Sequence, residues 1–189
     1  MRVIGGTARG RRLFCTGGRD TRPTPDRVRG SLFDILGQAF SGETVLDLFA
    51  GTGALSIEAL SRGASCAVLV ESAAAAARVI RRNIEAAGFA DRVTVYEMNV
   101  ERAVPIVARG GAGFDLVFAG PPYAYEREAL LMEDLSRLGL LAPGGTAVFQ
   151  HSSRRRLPDA AGGWCRFDRR TFGGTSLSFY SSDTLRRCH

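Results

Sequence analysis

Three groups of residues in this chain have the types and spacing to do chemistry. The first is Val45-Leu46-Asp47-Leu48-Phe49-Ala50-Gly51-Thr52-Gly53, an apolar β-type run that carries one carboxylate and ends in a glycine turn. A helical pattern begins at Ala54. Gly51 and Gly53 permit a sharp turn and let a ligand approach the main chain where no Cβ stands in the way. The positive end of the following helix points at whatever sits there. Such turns also exist for geometry alone, so the other two groups decide what this one serves. The second group is Glu71, twenty residues beyond Gly51, with Ser72 beside it. That is the distance at which a carboxylate meets a ribose hydroxyl pair. The third is Gly120-Pro121-Pro122-Tyr123, a proline-stiffened loop that ends in an aromatic ring.

The elements that must position these residues alternate. Strands are predicted over 45–49, 66–70, 93–96, 114–118 and 146–150, and helices over 54–62, 72–87, 100–109 and 126–138. Leu55, Ala59 and Leu60 should face inward on the first of these helices, and Gly88 should end the second. Pro143-Gly144-Gly145 reads as the turn into the fifth strand. Two antiparallel strands, 165–172 and 177–181, close the chain around Gly173-Gly174-Thr175. Apolar strands alternating with helices predict an α/β fold with a mostly parallel sheet covered on both faces. Ligands bind beyond the carboxyl ends of such strands. Residues 47–53, Glu71, Asn99 and 120–123 all fall at strand ends.

Ahead of this pattern stands a small extension. Arg2-Val3-Ile4 and Arg11-Arg12-Leu13-Phe14 flank a glycine-rich turn and predict a hairpin over 1–14, too small to fold alone. A loop with Pro23 and Pro25 follows. Asp26 then reads as the N-cap of a helix of about ten residues with Val28, Leu32, Ile35 and Leu36 as its apolar stripe, joined by Phe33. The natural division is residues 1–40 as extension and 41–189 as main domain.

Charge singles out the extension. Net charge is +6, and residues 1–30 hold eight arginines against Asp20 and Asp26, so the excess lies there. Basic residues are all arginine, a uniformity that carries no functional meaning. A localised basic arm attracts a phosphate backbone, or is a solvated tail. The candidates for phosphate contact are Arg9, Arg11, Arg12, Arg22 and Arg27; the last two serve equally as braces of the arm. Arg154-Arg155-Arg156 is read as a solvated run. No stretch of about 18 apolar residues predicts a membrane span, and the N-terminus lacks the apolar core of a signal peptide, so a cytoplasmic protein is expected. Cys15, Cys66, Cys165 and Cys188 form no C-x-x-C pair and read as structural thiols. Two distant histidines predict no metal site, and His151 after the fifth strand reads as structural.

Two ligands compete for the strand ends. A nicotinamide dinucleotide needs G-x-G-x-x-G, but Ser56 stands where the third glycine belongs. Asp47 inside the strand and the Pro-Pro-Tyr loop have no part in that scheme. Both fit S-adenosylmethionine, with Asp47 on the amino-acid end of the ligand, Phe49, Ala50, Gly51 and Gly53 beneath it, and Glu71 with Ser72 at the ribose. Asn99 would meet the adenine edge, or is an ordinary turn asparagine. Asp47 as a turn cap, Glu71 as a helix-start carboxylate and Tyr123 as a packing aromatic are the structural alternatives.

The run from Asp47 to Gly53, continued by Ala-Leu-Ser-Ile-Glu-Ala-Leu-Ser-Arg-Gly-Ala64, resembles the first motif of the bacterial RsmD-type 16S rRNA guanine-N2 methyltransferases. Thr21-Arg-Pro-Thr-Pro-Asp-Arg-Val-Arg29 with Leu32-Phe33 and Ile35-Leu36 is similar to that family's entry helix. Ile4-Gly5-Gly6 with Gly10-Arg11-Arg12-Leu13 resembles its N-terminal hairpin, and Phe172-Gly-Gly-Thr-Ser-Leu-Ser-Phe179 its closing strands. The resemblance covers nearly the whole chain. It implies a Rossmann-like class I methyltransferase sheet with an RNA-facing arm, S-adenosylmethionine as cofactor, and methyl transfer to the exocyclic amine of a guanine in 16S rRNA, in the assembled 30S subunit, by a monomer.

The family's catalytic motif is Asp or Asn followed by Pro-Pro-Tyr. Its first side chain accepts from the guanine amine, the prolines shape the loop, and the tyrosine stacks on the base. Pro121, Pro122 and Tyr123 match, and Gly120 departs. Asp115 lies at the other end of the strand and is a poor substitute. The expectations divide between an enzyme that uses the carbonyls of Gly120 and Pro121, a cofactor and rRNA binder that has lost transfer, and a chain with a substituted residue 120.

Overall fold

The computed structural model describes residues 1–15 and 25–183. Arg22, one of the candidate phosphate contacts, lies outside the described residues, as does Cys188. The chain forms two compact units that divide after Asn99.

The first unit opens with the expected hairpin. A bridge pairs Arg2 with Arg12, and main-chain bonds run from Val3 N to Arg11 O (3.0 Å) and from Leu13 N to Met1 O (3.0 Å). Helix α1 (Asp26–Leu36) follows, with Val28, Leu32 and Phe33 buried and Ile35 and Leu36 half-buried. Pro25, not Asp26, is its cap residue. Asp26 is already inside the first turn, where its carboxylate pairs with Arg29 at 3.0 Å. Proline fits this place because its fixed φ suits helix entry and it forgoes a donor that the helix would not use.

Strands β1 (Thr44–Leu48), β2 (Cys66–Glu71) and β3 (Val93–Glu97) then alternate with helices α2 (Ala54–Ser61) and α3 (Ala74–Ala87). All pairings are parallel, in the order β3-β2-β1, with Leu46 opposite Val68 and Val68 opposite Thr94. Gly88 ends α3 in a left-handed conformation (φ 78°), as expected. Of the residues expected inward on α2, Ala59 and Leu60 are buried and Leu55 is half-buried. Cys66, placed in the sequence within an apolar run, is exposed at the start of β2.

Helix α2 is buried almost all round, including Glu58, Ser61 and the following Arg62. The hairpin explains this. Glu58 accepts the main-chain N–H groups of Ile4 (2.8 Å) and Gly5 (2.7 Å) and pairs with Arg62 (2.9 Å) and Arg29 (3.6 Å). Ser61 O accepts from Thr7 N at 2.7 Å, and Ser61 Oγ accepts from Ala8 N at 2.9 Å. A Cβ at Gly6 would stand 1.8 Å from Ser61 O, so only glycine lets the chains meet this closely. The hairpin is therefore bonded to α2 through the buried Glu58 carboxylate and through Ser61. Arg29, counted in the sequence with the basic arm, is fully buried and belongs to this cluster rather than to the surface. Breaking such a buried pair by removing one partner costs roughly 3–5 kcal/mol, because the other charges stay behind uncompensated.

The second unit contains α4 (Val100–Ala108), β4 (Phe114–Ala119), α5 (Glu128–Arg137), β5 (Leu141–Ser152), β6 (Ala160–Ala161), β7 (Trp164–Phe172) and β8 (Thr175–Ser181). β4 and β5 are parallel; β8, β7 and β6 add antiparallel strands in the order β4-β5-β8-β7-β6. The expected turn at Pro143-Gly144-Gly145 is instead an irregularity within β5. The register passes from Phe114 opposite Leu141 to Leu116 opposite Thr146, and Pro143, which has no N–H for a ladder, sits in the excess. The core is aromatic. Phe149 and Tyr180 meet edge to face at 5.8 Å, and Trp164, Phe118 and Phe179 are fully buried. His151, expected to be structural, has its ring nitrogens 2.9 Å from Ser178 Oγ and 2.9 Å from Ser152 O, and burial lowers its pKa. Among the described residues no helix is long and apolar enough to cross a membrane.

Candidate functional site

In the first unit, the end of β1 and the turn after it are held by side-chain bonds from three other elements. Asp47 is 3% exposed, yet it lies on a strand whose other core residues are apolar. Its Oδ2 accepts from Ser56 Oγ at 2.8 Å. Burial pushes its pKa up to about 7, the Ser56 bond works against that shift, and the negative charge of Glu71 adds to it. Ser56 is the residue that spoiled the dinucleotide fingerprint; here it is the partner of the strand carboxylate.

The chain leaves β1 through Phe49, which adopts a left-handed φ of 63°. For a bulky L-residue this is unfavourable by roughly 1–2 kcal/mol. Ala50 N to Val70 O (3.0 Å) and Gly53 N to Ala50 O (2.8 Å) fix the turn that follows. Its two glycines have different reasons. A Cβ on Gly53 would face inward, 3.3 Å from Leu69 Cδ2 and 3.5 Å from Ile80 Cγ2. A Cβ on Gly51 would meet only Phe49 O, at 4.0 Å. Gly53 lets α2 and β2 pack; Gly51 (φ 60°) faces open space and forms the cradle.

Glu71 binds this cradle from β2. Its Oε2 accepts from Gly51 N at 2.9 Å and its Oε1 from Ala73 N at 2.8 Å. The N–H groups of Gly51 and Gly53 are thus both engaged within the protein, so the turn offers close approach rather than free donors. A carboxylate has about four acceptor positions, and two bonds leave capacity for a ligand's hydroxyls. Glu71 is half-exposed, Ser72 is exposed, and Asn99 is exposed at the residue before α4. This donor set fits S-adenosylmethionine: an open glycine cradle, acceptors for a ribose diol, and a carboxylate for a cationic amino group.

In the second unit, β4 runs out into Gly120-Pro121-Pro122-Tyr123. Pro121 is buried and Pro122 exposed, and Tyr125 N donates to Pro122 O at 2.9 Å to close a turn. Tyr123 is 57% exposed, which removes the packing-aromatic alternative. Gly120 is half-exposed and is absent from the left-handed glycines. A Cβ there would make only an ordinary contact, 3.9 Å from Gln150 Cβ. Nothing in the local packing demands glycine at 120.

Of the arm's arginines, Arg9, Arg11, Arg12 and Arg27 are exposed. Arg11 also donates to Ala86 O at the end of α3. Ser56, Glu58 and Asn83 were missed as site-forming residues. Asn83 is a polar residue on the apolar inward stripe of α3, and that was an available signal; Ser56 and Glu58 lie on a helix buried almost all round, where no stripe marks them. Among the described residues no cluster of three or more His, Cys, Asp or Glu is placed to hold a metal.

The profile of the family described as Conserved hypothetical protein 95 matches residues 1–181, which takes in the hairpin, both loops and the closing strands. The chain is 33% identical over 186 residues to ribosomal RNA small subunit methyltransferase D of Escherichia coli, with 97% of this chain and 90% of that one covered. A solved hypothetical protein of Thermus thermophilus superposes with a TM-score of 0.82 at 35% identity, covering 96% of this chain and 99% of that one. A conserved hypothetical protein of Streptococcus pyogenes gives 0.79 at 36% identity, covering 86% and 99%. Matches this long, over a fold and strand-end residues of this kind, mean that the chain belongs to the Conserved hypothetical protein 95 family, the RsmD-type methyltransferases.

Proposed function

We propose that this protein transfers a methyl group from S-adenosylmethionine to the exocyclic N2 amine of a guanine in 16S rRNA, acting as a monomer on the 30S subunit in the cytoplasm. The observation that carries the cofactor assignment is the Gly51 cradle, open on one side and held by the Glu71 carboxylate on the other. Phe49, Ala50, Gly51 and Gly53 would line the cradle, Glu71 with Ser72 would take the ribose, Asn99 the adenine edge, and Asp47 the amino-acid end. When bound, the cofactor supplies a methyl group on a sulfonium sulfur, which leaves as a thioether.

The protein's part is positioning and electrostatics. A guanine amine is a poor nucleophile because its lone pair is shared with the ring, and a stacked base cannot be reached. Exposed Tyr123 would stack on the extruded base, and Pro121 and Pro122 would hold the loop's shape. The carbonyls of Gly120 and Pro121 would accept from the amine as charge develops on nitrogen; the proton lost after N–C bond formation goes to water. Arg9, Arg11, Arg12, Arg22 and Arg27, on the extension of residues 1–40, would contact phosphates, with residues 41–189 as the methyltransferase domain.

The test is transfer of labelled methyl to unmodified 30S particles, followed by mapping of the labelled base. Transfer to one guanine N2, lost with Glu71→Ala, is expected. Saturable cofactor binding with no transfer from either this chain or Gly120→Asp would overturn the reading.

A further inference from the structure

One amide joins the arm to the cofactor turn. Asn83 lies on the inward face of α3 and is completely buried. Its Oδ1 accepts from Phe14 N at 2.7 Å, and its Nδ2 donates to Phe14 O at 3.0 Å and to Thr52 O at 2.9 Å. The first two bonds imitate a β-bridge to the arm. The third ends inside the turn, between Gly51 and Gly53. The other buried residues of that helix face, Ala76, Ala77, Ile80, Ile84 and Ala87, are all apolar. A buried amide among them requires its partners, since losing one leaves a desolvated polar group behind. The arm is laid along the same helix at two further points: Arg11 donates to Ala86 O, and the Arg82 guanidinium lies 3.4 Å from the centroid of the Phe14 ring.

We propose that Asn83 is a positioning residue that couples the two substrates, so that RNA on the arm tightens cofactor binding in the turn and the cofactor steadies the arm. The proposal rests on the reading above, in which the arm takes RNA and the turn takes S-adenosylmethionine. The peptide of Thr52 sets the shape of the cradle, and the peptide of Phe14 sets the path of the arm. Both are held by one fully buried side chain. A state that holds one of them well therefore holds the other, and by linkage the effect is reciprocal.

The experiment uses the full chain and S-adenosylhomocysteine as probe, read by hydrogen exchange. Saturation should slow exchange over residues 49–53 and also over residues 11–15. In Asn83→Ala the first effect should persist and the second vanish. Phe14→Pro, which removes the arm's donor together with the Phe14 ring over Arg82 and keeps the Asn83–Thr52 bond, is the second variant should Asn83→Ala fail to fold, and it should behave the same way, with Phe14→Ala, which loses the ring and keeps the donor, as its control. In parallel, unmodified 30S particles should tighten the cofactor Kd of the natural chain about fivefold or more, and that ratio should fall to near one in either variant. Protection of the turn with no change over 11–15 in the natural chain would overturn the coupling. So would a variant that transmits as well as the natural chain. Absence of any protection at the turn would overturn the cofactor reading itself, and the coupling with it.

Discussion

The loops after β1 and β4 both contain glycine and both end strands, yet they are built in opposite ways. The β1 turn is wired. Glu71 holds Gly51, Ala50 holds Gly53, Asn83 holds Thr52, and Ser56 holds Asp47 just before it. Its glycines answer to geometry: positive φ at both, inward packing at 53 and an open face at 51. The β4 loop closes a turn with a bond from Tyr125 N to Pro122 O and takes its stiffness from two prolines. Its glycine answers to nothing nearby. Under the proposed function the difference has a reason: a loop for one small invariant ligand benefits from being set in advance, whereas a loop for a base from a large RNA needs an exposed ring and a fixed outline.

The sharpest way to test that contrast is to fill the unexplained glycine. Gly120→Asp should be accommodated, because its Cβ meets only Gln150 at an ordinary distance. It supplies the acceptor that the family resemblance implies at this position. Restoring one preorganised hydrogen bond should raise kcat by roughly 10²–10³ and leave the cofactor Kd unchanged. Equal rates would show that the loop's carbonyls suffice. The wired loop should respond in the opposite sense. Glu71→Ala removes the acceptor of Gly51 N–H as well as the proposed ribose contact, and should weaken cofactor binding by roughly 2–3 kcal/mol, read by calorimetry. A loss below about threefold, under 1 kcal/mol, would mean that the ribose does not sit there. Tyr123→Ala should cost less, about 1–2 kcal/mol, and the cost should appear in the KM for RNA and not in the cofactor Kd.

The same contrast explains what was legible in the sequence. Strand ends, helix spans and the hairpin follow from periodicity and from glycine and proline, which act locally. The turn's chemistry was half legible: Asp47, Glu71 and the glycines have fixed spacing, but the opposed reasons for Gly51 and Gly53 depend on Leu69 and Ile80, which come from other elements. Asn83 was visible only as a polar residue on an inward helical stripe, Ser56 and Glu58 were not marked even by that, and the partners of Ser56, Glu58 and Asn83 lie 9, 54 and 69 residues away. The Asp26 cap failed because Pro25 can open a helix without a side-chain acceptor, and local propensity alone does not separate the two. The Pro143-Gly144-Gly145 turn failed because strand continuation through an irregularity is decided by the neighbouring strand.

The pH dependence of cofactor binding is the effect most diagnostic of the wired loop. In the free protein burial raises the Asp47 pKa to about 7, so the carboxyl is largely protonated below neutrality. Above the unfolded carboxyl pKa the folded state then holds more protons than the unfolded state, and this group's contribution to stability falls as pH rises from about 4 to about 7. A cationic amino group at Asp47 reverses the preference, because it favours the ionised carboxylate. Cofactor affinity should therefore climb as pH rises toward about 7, by no more than about tenfold per unit, and level off above it. Asp47→Asn should flatten the slope while leaving the Gly51–Glu71 bond in place. Calorimetry at pH values from about 5.5 to about 7.5, in buffers of different ionisation enthalpy, reads both the slope and the proton released. A flat profile in the natural chain would mean that the amino-acid end of the ligand does not reach Asp47, and that the Ser56 bond serves the turn's shape alone.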